Sequence, residues 1–138
     1  MTNFNSEAER TIREIIHTSR NTLRKLLDTH LKDIQHTPER KSLEMKIFYK
    51  VLNVITKKWS MQILWELEVN GDMIFNELMR HLEGVSSRSL SDTLKKLEKF
   101  KLVSRNVQDT RPPSVLYKLT DKGKGLVELS LLFILQLL

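Results

Sequence analysis

The chain has 138 residues, 40% of them hydrophobic and 29% charged, which suits one folded domain with a core of its own and excludes a disordered chain. Glycine and proline together number seven, against roughly 12% in average usage, so a barrel or sandwich is disfavoured; the absence of cysteine excludes disulfides, thiolate zinc sites and thiol-based sensing. The net charge of +6 is confined: residues 80–124 hold 11 basic and 5 acidic side chains, and the rest of the chain carries 12 of each sign.

Ser6-Glu7-Ala8-Glu9 has the form of a capping box. Ile12, Ile16, Leu23, Leu27 and Ile34 follow at helical spacing, widened by Ile15 and Leu26. The pattern predicts a long amphipathic helix ending near His36, because Pro38 disfavours helical geometry at Thr37. Its stripe is narrow and broken by Ser19 and His30, so it needs a partner. Thr37-Pro38-Glu39 reads as a helix start, and Leu43, Ile47, Val51 and Ile55 carry that second helix to an interruption near Thr56-Lys57-Lys58. Trp59, Ile63, Leu64 and Leu67 mark a third, up to an Asn70-Gly71 turn. Met73-Ile74 suits a brief strand, and Phe75, Leu78, Met79 and Leu82 a short helix that Gly84 would end as a left-handed cap.

Ser86 or Ser87 caps the next helix, which runs to about Phe100. Leu90, Leu94 and Leu97 form its apolar stripe; at 100° per residue Arg88, Asp92, Lys95 and Lys99 lie opposite, with Ser87 and Ser91 on the flanks. Two β-like runs, Leu102–Val107 and Val115–Leu119, enclose a polar tip from Gln108 to Ser114. Thr120-Asp121 then caps a final helix that is apolar nearly all round from Leu126 to Leu138, yet at about 13 residues too short to span a bilayer. With a polar start and no signal pattern, the chain reads as cytoplasmic, without membrane attachment.

Helix, turn, strand, helix, tight turn, helix, strand, tip, strand, helix is the order of a winged helix-turn-helix: a mainly α fold with a small β-hairpin wing. The helix after Gly84 has one face for docking and one basic face free to enter a major groove. The hairpin places Arg105 and Arg111 where they could meet a backbone or a minor groove. The confined positive charge reads as a polyanion footprint rather than merely a solvated face.

Lys58-Trp59, Ile63-Leu64-Trp65-Glu66-Leu67, Phe75-Asn76-Glu77-Leu78, Val85-Ser86-Ser87-Arg88-Ser89-Leu90, Leu94-Lys95-Lys96-Leu97-Glu98, Leu102-Val103-Ser104-Arg105, Pro113-Ser114-Val115-Leu116-Tyr117 and Leu119-Thr120-Asp121-Lys122-Gly123 resemble the HxlR-type transcriptional regulators, relatives of the MarR group. The resemblance covers about residues 43–130. It implies a homodimeric winged-helix DNA-binding regulator whose N- and C-terminal helices build the dimer. On that basis residues 1–37 and 126–138 are dimerisation segments flanking a DNA-binding domain, 38–125. Many members carry a sensing cysteine just before the domain, which this chain lacks, and its first helix exceeds the usual N-terminal segment.

Candidate DNA contacts are Ser86, Ser87, Arg88, Ser91, Asp92, Lys95, Lys99, Arg105 and Arg111. Asp92 can accept from a cytosine amino group, although pairing with Arg88 or Lys96 one turn away is favoured. Trp59 and Trp65 are expected in the core rather than as stacking platforms. His17, His30, His36 and His81 show no ligand spacing, so neither a metal nor another cofactor is expected. Enzymatic readings lack a phosphate loop, a nucleophile elbow and a zinc motif. The expected partner is double-stranded DNA, read by a homodimer on a pseudo-palindrome, in the nucleoid. The alternatives are a sequence-tolerant chromatin-architecture protein and a winged-helix protein-interaction module without DNA. A small-molecule effector is compatible with the sequence, but no polar cluster marks one.

Overall fold

In the computed structural model, which describes residues 6–137, α1 (Ser6–Asp33) stops three residues short of His36. The His36 ring folds back and its Nε2 donates to the Leu31 carbonyl at 3.1 Å. It thereby satisfies one of the carbonyls that a helix end leaves without an intrahelical partner, and the last expected turn becomes the corner into α2 (Pro38–Ile55). Thr37 caps α2 as expected: its Oγ1 accepts from the Arg40 amide at 3.2 Å and its carbonyl from Lys41 at 3.0 Å. Ser6 is itself the first helical residue of α1, so its expected role as a cap is not seen. The position that would cap α1 lies outside the described residues.

The α1–α2 corner is tied by Glu44, whose Oε1 accepts from Arg40 Nε at 3.1 Å and lies 3.2 Å from His30 Nε2. The Arg40 hydrogen bond, with a lesser contribution from His30, holds the Glu44 carboxyl below its ordinary 4.5, against the opposing effect of desolvation.

The chain divides into two units, residues 48–130 and residues 1–47 with 131–138. The first contains the core. α3 (Ser60–Asn70) buries Ile63, Leu64 and Leu67; β1 is Met73–Ile74; α4 (Phe75–His81) buries Leu78 and α5 (Ser87–Lys99) buries Leu90, Leu94 and Leu97. β2 (Val103–Gln108) and β3 (Ser114–Leu119) form the wing hairpin, and α6 (Asp121–Leu137) closes the sequence. The three strands are antiparallel in the order β1-β3-β2, with Tyr117 opposite Met73 on one side and Arg105 on the other.

Two expectations about α3 and α4 change. Trp65 is half exposed rather than buried, at 52%. It lies about 100° round the helix from Leu64, and with Val69 four residues later it forms an outward strip, while Trp59 does pack against the core. The cap of α4 is Leu82, not Gly84; Gly84 takes the left-handed conformation, φ +83°, two residues on.

In the other unit α1 buries no residue at all. Leu23, Leu26, Leu27 and Leu31 are exposed, as are Leu131, Phe133 and Ile134 near the end of α6. Among the described residues no helix is long and apolar enough to cross a membrane.

Candidate nucleic-acid interface

The turn before α5 is set by Gly84, whose positive φ lets the chain reverse within four residues. Val85 is buried, and its amide donates to the Leu82 carbonyl at 3.1 Å, pinning the turn to the core. Ser86 then caps α5, its Oγ accepting from the Ser89 amide at 3.0 Å. Of the two serines the sequence offered as caps, Ser86 takes the role and leaves the exposed Ser87 hydroxyl without it.

Leu90, Leu94 and Leu97 are 0–1% exposed, so the axial rotation of α5 is fixed. Arg88, Asp92, Lys95 and Lys99 consequently face outward together, with Ser91 half-buried at the edge. The Arg88 side chain is 93% exposed, and its Nε lies 3.9 Å from Asp92 Oδ2. This is the intrahelical pair the sequence favoured. At that exposure it is worth a few tenths of a kcal/mol at most, so the guanidinium is restrained but free to re-pair.

The far end of α5 is tied down by backbone groups. Lys101 adopts φ +59°, and the Leu102 amide donates to the Leu97 carbonyl at 2.9 Å. From the start of α6, Thr120 Oγ1 donates to the Lys101 carbonyl at 2.6 Å and Lys122 Nζ to that of Phe100 at 2.9 Å. Thr120 also accepts from the Gly123 amide at 3.0 Å, as the cap of α6. A methyl group at Gly123 would run into the Leu102 carbonyl oxygen, so this crossing of chain segments requires glycine.

Side chains alternate along β2, so Arg105 shares a face with the buried Val103 but lies further out, where it is exposed. Arg111 sits at the exposed tip. Thr110 Oγ1 braces that tip by donating to the Pro112 carbonyl at 2.9 Å, and lies 3.2 Å from Ser114 Oγ. Lys95, Lys99, Arg105 and Arg111 are in no ion pair among the described residues. The fold thus gathers Arg88, Lys95 and Lys99 on one helix face and carries Arg105 and Arg111 on the hairpin that follows it.

Residues 54–135 match the HxlR-like helix-turn-helix family. The chain belongs to that family. Similar proteins include one named as a regulatory protein, MalR of Fusobacterium mortiferum, 37% identical over 92 residues that cover 63% of this chain and 87% of MalR. The helix-turn-helix transcriptional regulator YvaP of Bacillus subtilis is 39% identical over 79 residues, 57% of this chain and 72% of YvaP. Among solved structures, one described as a MarR-family regulator from Enterococcus faecalis superposes with a TM-score of 0.54 at 33% identity, covering 70% of this chain and 82% of that one. This HxlR-like protein is therefore a transcriptional regulator with a winged helix-turn-helix DNA-binding fold, in a family of regulators and not of enzymes.

Two further cations, not among the candidate DNA contacts, come from outside the charge-rich third of the sequence and lie near α5. Lys50 and Lys57 border α5 beside Lys96 and Lys99. A net tally over 80–124 passes over them, and because Lys57 lies beyond the end of α2 at Ile55, no helical spacing marks the pair.

Proposed function

We propose that this regulator binds DNA as a homodimer, setting α5 of each subunit into successive major grooves roughly 34 Å apart on a pseudo-palindromic operator. The observation that carries the reading is the two-sidedness of α5, leucines fully buried on one side and Arg88, Lys95 and Lys99 exposed on the other. Arg88 reads a guanine edge from the first turn, with Ser87, Ser91 and Asp92 beside it and Ser86 holding the helix start. Lys95 and Lys99 meet the duplex further along the helix, and Arg105 and Arg111 contact phosphates or a minor groove from the wing. Residues 1–37 and 126–138 build the dimer around the DNA-binding domain, 38–125. The exposed leucines of α1 and Phe133 support this, because a monomer of this size rarely leaves so much apolar surface open. The protein works on DNA in the cytoplasm, at the nucleoid.

Binding curves on specific and scrambled duplexes, each at two salt concentrations, test the division of labour. Arg88→Ala is expected to cost about 1–3 kcal/mol on the preferred site and to relax base choice at one position. Arg111→Ala is expected to weaken all sequences evenly and to reduce the salt slope by about one unit. Unchanged affinities for Arg88→Ala would remove α5 as the reading element. Equal affinity of the parent protein for both duplexes would indicate an architectural coat, and no binding at low salt an interaction module.

A further inference from the structure

The second half of α2 and the last turns of α5 line an open cleft of about 390 Å³. Lys50, Asn53 and Val54 come from one face of α2, with Lys57 just beyond its end; Lys96, Lys99 and Phe100 face them. Val54 is buried and Phe100 half-buried, giving the cleft an apolar floor. Lysine stems extend such a surface while their amines stay in water. None of the four lysines pairs with a carboxylate among the described residues. Asp92 lines the neighbouring cavity of about 250 Å³, which shares Lys57 and Lys96, and is turned to Arg88. Four like charges around one cavity repel each other, and a multiply charged anion would relieve that repulsion.

We propose that this cleft binds a small organic polyanion, with two or more carboxylate or phosphate groups on a compact apolar body, and that its occupancy lowers DNA affinity. The volume falls in the range of small-molecule sites, and the apolar floor with a few convergent charges is their usual lining. A DNA backbone is the less fitting occupant. Phosphates have no use for the floor of Val54 and Phe100, and of the residues that line the cleft only Lys99 belongs to the proposed DNA contacts. The coupling follows from shared residues: an anion seated between Lys96 and Lys99 cancels positive charge on the helix proposed to read DNA. That coupling rests on the DNA reading above; binding of the anion does not.

Calorimetric titration of benzene-1,3,5-tricarboxylate into the full chain at low ionic strength, with no DNA present, tests the site alone. The expected result is one saturable site per chain, weakened tenfold or more in the Lys50→Gln/Lys57→Gln double variant, with benzoate binding at least tenfold more weakly than the tricarboxylate. No saturable binding, binding unchanged in the double variant, or benzoate equal to the tricarboxylate each overturns the proposal. A second arm measures duplex affinity at constant ionic strength. The tricarboxylate should reduce the parent protein's affinity several-fold, and the double variant without anion should stay within twofold of the parent. A double variant that instead loses tenfold in DNA affinity, with a shallower salt slope, makes the cleft a backbone clamp and refutes the anion site. Should the parent protein bind the tricarboxylate but no duplex, the DNA reading fails and the site stands.

Discussion

Residues 48–130 and the helical segments outside them are built from similar amounts of leucine and isoleucine but treat them differently. In the winged unit Ile63, Leu64, Leu78, Leu90, Leu94 and Leu97 reach complete or near-complete burial. In α1, 28 residues long, nothing is buried, although Leu23, Leu26 and Leu27 lie on a regular stripe. Amphipathic periodicity specifies which side of a helix wants cover, not what supplies it. The winged unit supplies its own; among the described residues none on the apolar side of α1 is buried, and the proposed dimer assigns that side to a second copy.

Paired truncations sharpen the contrast. Leu94→Ala should destabilise by about 2–5 kcal/mol, as a cavity in a closed core does, and leave self-association unchanged. Leu27→Ala, at a position 44% exposed in the chain, should cost about 2 kcal/mol and weaken self-association, because in the proposed dimer a second copy covers that position. Thermal unfolding together with sizing over a hundredfold range of concentration separates them. A Leu27→Ala loss below about 0.5 kcal/mol, as for an ordinary surface site, would break the comparison.

Gly123→Ala probes the seam where the wing, α5 and α6 meet. The added methyl meets the Leu102 carbonyl, a backbone atom that cannot swing aside, and an overpacking penalty of about 1–3 kcal/mol is expected. Gly125, with open space around it, serves as the control; Gly125→Ala should not destabilise, and equal losses at both positions in denaturant titrations would contradict the close approach.

The smallest effect belongs to the other region. Because Arg40, and to a lesser degree His30, depress the Glu44 carboxyl in the folded chain, its contribution is complete above the ordinary value of 4.5 and is lost as pH falls through the lower folded value. An NMR titration of the Glu44 side chain should show a midpoint below 4.5; a midpoint at or above it would mean that the α1–α2 corner is not tied as described.

What the sequence makes legible follows the same division. The leucine stripe of α5, the Thr37-Pro38 start and the brief β1 are written in local rules of periodicity and capping, and the fold follows them. Trp65 is not, because Ile63, Leu64, Trp65 and Leu67 leave the apolar arc of α3 too wide to say which edge lacks a neighbour. His36 extends the helical pattern by composition, but its ring closes the helix end instead. The lysine cleft joins residues over 40 positions apart, and no local pattern connects Lys50 to Lys99. Arg88, Lys95 and Lys99 were legible as one face; the bases that face meets depend on the duplex as much as on the chain.

Selection of bound duplexes from a random pool tests the central claim most directly. A homodimer that reads DNA through α5 should enrich an inverted repeat whose half-sites lie about 10–10.5 base pairs apart, centre to centre, and Arg88→Ala should blur one position in each half-site symmetrically. Enrichment of no consensus, or of a single unpaired half-site, would contradict it.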